Sequence, residues 1–390
     1  AYKGIPRNMW ILASSMFINR CGSMVLLFMS VYLTKHKHFT IPQAGIVMAM
    51  FGIGSLVGAF IGGKLVDKIG YYPIMIWSLF LSGVMLLVLG QMQSYYFIAF
   101  FTFMVTATGD AFRPANSASI SFYSNKESYP QSIALNRLAM NLGFTIGPIL
   151  GGILASINYT FLFWADGITC ILAAFFIYVV LPNPSRKNAD AEISATSKED
   201  ENKENNAMPA ERGVLSPYKD KIYLLFLVFT TLYATAFFQF FTSLPLYYKN
   251  VYHLQEKYIG WLMAFNGIGV AVIEMFLIYH IQNRWTQFKF ISLGIVLLMI
   301  AFFMLIPWFG ISILILSMLF ITFSEMLAMP FMSTYAIKKA PQQSMGQYMA
   351  LYSMSWSIAQ IVAPLVGTSV IDNFGYNALW LVLAGIAAIA

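Results

Sequence analysis

PNPSRKNADAEISATSKEDENKENNAMPAERGVLSP, residues 182–217, is the one long stretch of this chain that is polar, charged and poor in large apolar side chains. Such a segment cannot bury enough apolar surface to offset the entropy of ordering it, so it reads as a flexible linker. On either side the composition inverts. The 390-residue chain is 59% hydrophobic and only 10% charged, whereas soluble domains carry about 25% charged residues. It therefore reads as an all-α integral membrane protein. Apolar segments fall at roughly 8–34, 42–65, 72–91, 95–121, 131–157 and 160–181 before the linker, and at 218–248, 257–280, 287–306, 310–337, 345–371 and 376–390 after it. Most reach the roughly 20 residues that a helix needs to cross a bilayer. The expected architecture is twelve transmembrane helices in two six-helix bundles, residues 1–181 and 218–390, joined by a cytoplasmic linker at 182–217.

The net charge of +7 has a topological origin. With a cytoplasmic N-terminus, Lys3, Arg7, Lys64, Lys68, Lys126, Arg137, Arg284, Lys289, Lys338 and Lys339 fall inside, with seven more between residues 182 and 221. Lys35, Lys37, Lys249 and Lys257 fall outside. This positive-inside bias predicts a multi-pass protein of the plasma membrane with its N-terminus in the cytoplasm, and it explains the basic excess without nucleic acid. The first apolar segment follows Lys3 and Arg7 at full length and reads as a retained helix, not a cleaved signal. Cys21 and Cys170 both lie in apolar segments, where they pack as small hydrophobes. His36, His38, His253 and His280 sit in loops or at helix ends, and no metal site is expected. No GxxxxGK[ST] phosphate loop occurs, so neither nucleotide drive nor enzymatic chemistry is expected.

The halves echo one another. Helix 4 carries Asp110 followed by Pro114, and helix 10 carries Glu325 followed by Pro330; helix 5 holds Gly147 and Pro148, and helix 11 holds Ala363, Pro364 and Gly367. A six-helix repeat with a site near the bilayer midplane is the organisation of many secondary transporters. Six ionisable residues lie within the apolar segments: Arg20, Asp110, Arg113, Asp166, Glu274 and Glu325. Each costs about 2.5–3.5 kcal/mol at a helix centre on insertion scales, and such groups usually face a bundle interior or a cavity. Asp110 and Arg113, in TGDAFRP (residues 108–114), are three apart, share a helix face and can offset one another. Asp110, Glu325 and Glu274 are the candidate proton-coupling acids, and Arg20 and Arg113 the candidate tuners or anion anchors. Asp166, near the outer end of helix 6, reads as a cap or an interhelical hydrogen bond.

GGKLVDKIGYYP, residues 62–73, resembles the loop 2–3 signature of the major facilitator superfamily at Gly63, Leu65, Asp67, Lys68 and Gly70, with Tyr71 and Tyr72 where the family usually has two basic residues. The resemblance implies that Asp67 caps the start of helix 11 in the outward-facing state. NLGFTIGPILGG, residues 141–152, looks like the antiporter motif of the drug–proton antiporter branches through Gly143, Gly147, Pro148, Gly151 and Gly152; small residues four apart also let helices approach closely. SEMLAMP (324–330) and the stretch 345–367 resemble bacterial multidrug exporters and also proton-coupled oligopeptide symporters. The symporters' ExxERF motif is absent, however: helix 1 reads MFINRCG, with Asn19 and Arg20 and no glutamate. On helices that line the cavity in the superfamily lie Tyr32, Tyr233, Phe237, Gln239, Phe240, Asn266, Tyr352, Trp356 and Gln360, expected with Asn19 to contact substrate.

The resemblance implies the major facilitator fold and proton-coupled transport by alternating access. The expected activity is antiport export of hydrophobic or cationic small molecules. Symport of di- and tripeptides or another nutrient is the alternative, and a lipid transporter or transporter-like receptor stands behind it. Protons are the expected coupling ion, with no cofactor and a monomeric chain.

Overall fold

The computed structural model describes residues 5–124, 128–183, 217–281, 284–306, 310–341 and 344–390. Most of the 182–217 linker, and Lys126, lie outside the described residues. The first pass is broken into α1 (Arg7–Cys21) and α2 (Val25–Val31), extended by a π-helical turn at Tyr32–His36. Then follow α3 (Ile41–Ile69), α4 (Tyr71–Leu89), α5 (Tyr95–Gly109), α6 (Phe112–Tyr123), α7 (Tyr129–Ile157) and α8 (Thr160–Val180). The second half runs through α9 (Lys221–Phe237), a 3₁₀ turn at Phe238–Phe240, α10 (Ser243–Asn250), α11 (Glu256–Ile281), α12 (Gln287–Phe303), α13 (Ile311–Lys339) and α14 (Met345–Ile389).

Among the described residues, nine helical stretches are long and apolar enough to cross a membrane. Twelve passes result, because α14 turns back on itself at Gly375 (φ 79°) and counts twice, the 17-residue α12 adds one, and α5 with α6 completes the set. Gly375, and Gly70 (φ 86°) between α3 and α4, occupy the left-handed region that only glycine enters without strain. These two positions set the tight reversals between passes. The apolar residues face outward as well as inward: Phe60, Tyr96, Val272 and Phe276 are each more than 60% exposed. That pattern is the reverse of a soluble bundle and fits lipid contact.

Helix 5 of the sequence, α7, explains its glycines. A Cβ on Gly143 would lie 2.4 Å from Arg20 Cβ, and one on Gly151 2.9 Å from Met24 Cβ. Thus the i, i+4, i+8 row of Gly143, Gly147 and Gly151 carries the broken first pass at backbone distance. Gly152, next to that row, meets the other half: a Cβ there would lie 2.6 Å from the Glu256 carbonyl oxygen and 3.1 Å from Gly260 Cα. Pro148 sits within the same contact, its carbonyl oxygen 2.2 Å from a Cβ built on Gly260.

The two halves close against each other on the face opposite the N-terminus. Ser30 Oγ donates to the Thr242 carbonyl at 3.0 Å, and a Cβ on Gly45 would overlap Thr368. Glu256 accepts from Tyr159 Oη at 2.5 Å and from Lys249 Nζ at 2.6 Å. Tyr159 belongs to the first half, Lys249 and Glu256 to the second, so this cluster latches the two. One buried apolar cluster, including Phe28, Phe51, Tyr247 and Met263, is continuous across that side. Toward the N-terminal face the first half keeps a separate cluster around Met9, Leu12, Met75 and Phe112.

Asp220 precedes α9 as its N-cap, accepting from Tyr223 N–H at 3.1 Å. It also accepts from Tyr348 Oη at 3.3 Å and pairs with Lys339 at 3.4 Å. Burial works against its charge, but the Tyr223 N–H, Lys339 and Tyr348 outweigh it and hold the carboxyl below its ordinary value of 3.8. A depressed folded-state value stabilises the fold above 3.8, and that stabilisation is lost as pH falls through the folded value. Asp220→Ala is expected to cost about 0.5–2 kcal/mol of stability, read as a lower thermal midpoint at pH 7 that persists to pH 4 and converges on wild type only as pH falls below 3.8 through the folded value.

Breaking the Glu256 latch is expected to loosen the closed face. In a Glu256→Gln background, maleimide labelling of a cysteine placed at buried Ser30 should rise several-fold over the same cysteine with Glu256 intact.

Candidate functional site

A cavity of about 610 Å³ lies at mid-depth, where the breaks in the passes converge. Its charged wall comes from Asn19 and Arg20 at the end of α1, Asp110 and Arg113 at the α5–α6 junction, and Asp166 on α8. Its apolar wall comes from Phe51, Phe144, Phe238 and Phe241, and from Tyr352 and Trp356 on α14 with Gln360 beside them. With the opposite face sealed, the cavity lies toward the N-terminal face, where the Arg113 side chain is 52% exposed.

The charged pair on helix 4 is placed by a break that its sequence causes. Proline lacks an N–H and fits best in the first turn of a helix. Pro114 stands in the first turn of α6, which begins at Phe112. Asp110 caps the end of α5, its carbonyl accepting from Arg113 N–H at 3.2 Å. Across this turn Arg113 Nε meets Asp110 Oδ1 at 2.9 Å. Both charges sit on the cavity wall, each offsetting part of the other's cost.

The first pass breaks for a different reason. A Cβ on Gly22 would lie 1.9 Å from Thr169 Oγ1, so only glycine admits the side chain from α8. The backbone N–H groups freed at the start of α2 are taken up by one carboxylate. Asp166 Oδ2 accepts from Met24 at 3.0 Å and from Val25 at 2.7 Å, and Oδ1 accepts from Met24 at 3.1 Å. Asp166 is 3% exposed. The interhelical hydrogen bond expected of it is present, and Asp166 also borders the cavity.

Seven of the expected substrate and coupling residues thus converge: Asn19, Arg20, Asp110, Arg113, Tyr352, Trp356 and Gln360. Others do not. Gln239 is fully buried; its Nε2 donates to the Ala363 carbonyl at 2.7 Å and its Oε1 accepts from Ser243 and Thr242. Its polar atoms serve the break in the seventh pass, which removes it from the substrate contacts expected above. Tyr32 is also buried, packed against His36, Tyr159 and Phe163 beyond the closed side of the cavity. Tyr233 is buried with its hydroxyl 3.2 Å from Ser324 Oγ, and Phe237 and Phe240 stack behind the wall.

Glu325 and Asn266 also stand apart from the cavity. Asn266 Nδ2 donates to Glu325 Oε2 at 3.0 Å and to Thr322 Oγ1 at 3.2 Å. No described cation pairs with Glu325. Glu274 bridges the halves through Arg137 at 3.3 Å, a partner its position in helix 8 does not disclose.

The loop signature is disengaged in this conformation. Asp67, Lys68 and Gly70 are exposed, Asp67 forms no ion pair with a described residue, and a Cβ on Gly63 would meet nothing within 4 Å. Among the described residues, the helix-11 cap implied for Asp67 is not made. The resemblance assigns that cap to an outward-facing state, whereas this structure is closed on the face opposite the N-terminus.

Paired six-helix halves, broken passes and an ionisable mid-depth cavity define a secondary-transporter fold. The family model described as Major Facilitator Superfamily matches residues 12–364. The chain therefore belongs to the major facilitator superfamily; it is a membrane transporter and not an enzyme. It is 24% identical over 411 residues to the Na(+), Li(+), K(+)/H(+) antiporter of Planococcus maritimus, covering 97% of this chain and 92% of that one. It is 22% identical to multidrug resistance protein 2 of Bacillus subtilis (strain 168), covering 95% and 90%. Among solved structures, a POT family transporter in complex with 5-aminolevulinic acid superposes with a TM-score of 0.80 at 14% identity, covering 100% of this chain and 95% of that one. That likeness is one of fold.

Asp166→Ala leaves two buried backbone donors unpaired, at about 1–3 kcal/mol for each unsatisfied group. A thermal midpoint several degrees below wild type is the expected result, with Asp166→Asn intermediate because its amide oxygen can still accept.

Proposed function

We propose that this chain is a proton-coupled secondary transporter that exports amphipathic small molecules by antiport. The observation that carries the reading is the Asp110–Arg113 pair, held at a helix break inside an aromatic cavity. A carboxylate in such a pair exchanges a proton when the pair opens, and intramembrane carboxyls commonly mark proton paths. Protonating Asp110 releases Arg113 and frees the α5–α6 junction, which ties the proton to a hinge on the cavity wall. Glu325 is the second proton site in this reading, since its one amide donor leaves the carboxyl without a counter-ion and an uncompensated buried charge is costly. The antiporter and multidrug names of the relatives agree with exchange of a proton for cargo. With the N-terminus in the cytoplasm, the structure corresponds to the inward-open state, ready to load cargo from inside.

One observation favours symport as a second reading. Arg20, on the same cavity wall, has no ion-pair partner among the described residues. A proton placed on Asp110 then leaves the cavity wall with an excess of positive charge and strengthens its hold on an anionic guest.

Proteoliposomes containing a pH-sensitive dye distinguish the two. In the antiport reading, cargo added to one side drives protons the opposite way, Asp110→Asn abolishes the flux while the protein stays folded, and Glu325→Gln reduces it at least tenfold. Proton movement along with cargo establishes symport. Unaltered proton-driven transport by Asp110→Asn removes Asp110 from the coupling path.

A further inference from the structure

The two arginines and two aspartates on the cavity wall match in number but not in pairing. Four basic or acidic side chains border the cavity: Arg20, Asp110, Arg113 and Asp166. Asp110 is matched by Arg113 at 2.9 Å. Asp166 is matched by the Met24 and Val25 N–H groups at 2.7–3.1 Å. Arg20 is left over: its Nε is buried without a hydrogen-bond partner, and no described carboxylate lies within ion-pairing distance.

The protein nonetheless holds this guanidinium in place. Its central carbon lies 5.2 Å from the centroid of the Phe144 ring, close enough for cation–π attraction. Only a glycine at 143 leaves room for the base of the side chain, since a Cβ there would lie 2.4 Å from Arg20 Cβ. Phe144 lies beside the guanidinium, whose Nε makes no hydrogen bond to a described residue. Five donors in a fixed plane suit the two oxygens of a carboxylate or the oxygens of a phosphoryl or sulfonyl group. A half-buried, unpaired arginine at the wall of a membrane cavity is costly unless something charged completes it.

We propose that Arg20 is the anion-recognition point of the cavity and that the cargo is an amphipathic organic anion or zwitterion. Its acidic group pairs with Arg20, and its aromatic or aliphatic body lies against Phe144, Phe238, Phe241 and Trp356. The proposal rests on the cavity being the cargo site and narrows the cargo to this class, against the neutral or purely cationic compounds expected from the sequence. A volume of about 610 Å³ is that of a drug-sized ligand site.

The test is equilibrium binding to the purified full chain in detergent, with no proton gradient, using three probes of one shape: 2-naphthaleneacetate, 2-naphthaleneacetamide and 2-(2-naphthyl)ethylamine. Wild type is expected to bind the acid at least tenfold more tightly than the amide, and the amine most weakly. Arg20→Gln should bring the acid to the amide's level while leaving the amide unchanged, and Arg20→Lys should retain part of the preference. Amine binding equal to or tighter than acid binding in wild type overturns the proposal without any variant, as does failure of all three probes to bind at millimolar concentration. Acid selectivity that survives Arg20→Gln overturns the assignment to Arg20, and equal weakening of all three probes reduces that residue to a structural role. Because binding is read without a gradient, acid-selective binding with no proton flux in liposomes sinks the proton-coupling reading alone. Proton-coupled movement of the amine but not the acid sinks this inference and leaves the transport reading standing.

Discussion

The cavity depends on one carboxylate at the break in the first pass. Asp166 accepts three hydrogen bonds from two N–H groups, and in doing so lets a membrane helix stop and restart where no water is available to satisfy its backbone. Buried N–H groups without partners are costly in hydrocarbon. Without this cap the first pass would be expected to close into one continuous helix, and Arg20, the last charged residue before the break, would turn with it. The position of the guanidinium, its contact with Phe144 and the glycine beneath it all follow from the interruption that Asp166 stabilises.

Each half opens with a broken pass, but the means differ. The first is held by a carboxyl cap from α8. The seventh uses a neutral glutamine, Gln239, which ties its own 3₁₀ turn to the Ala363 carbonyl. The fourth breaks at a proline and its counterpart α13 does not, although Pro330 lies within that helix. The repeat is therefore one of arrangement more than of chemistry. In the first half polar groups are spent on the cavity wall, while in the second Asn266, Thr322 and Glu325 form a hydrogen-bonded cluster behind it.

Much of the architecture was legible in the sequence because the bilayer leaves few alternatives. A dozen apolar segments, split evenly by a polar stretch, specify the passes to within a few residues, and the Asp110–Arg113 spacing gives their ion pair directly. The breaks at Gly22 and Gln239 were not legible, since hydropathy averages across them. A Gly-Ser pair after Arg20 was the available signal for the first; for the seventh there was no comparable mark. Nor does sequence spacing reveal partners on distant helices, such as Arg137 for Glu274 or Tyr159 for Glu256. Gln239 and Tyr32 were assigned to the cavity because their helices reach it, but the sides of those helices that carry them face protein.

Helix α7 carries glycine toward both of its main neighbours, with Gly143, Gly147 and Gly151 against the first pass and Gly152 against α11. Interlocked side chains would have to change rotamer for the two halves to move past each other. A contact made of bare backbone behaves instead as a plain bearing, smooth along its length and stiff across it. Rocking of one half over the other can then proceed as a slide along α7 and α11, in which the steric barrier stays low and the timing is left to the few charged contacts at either end.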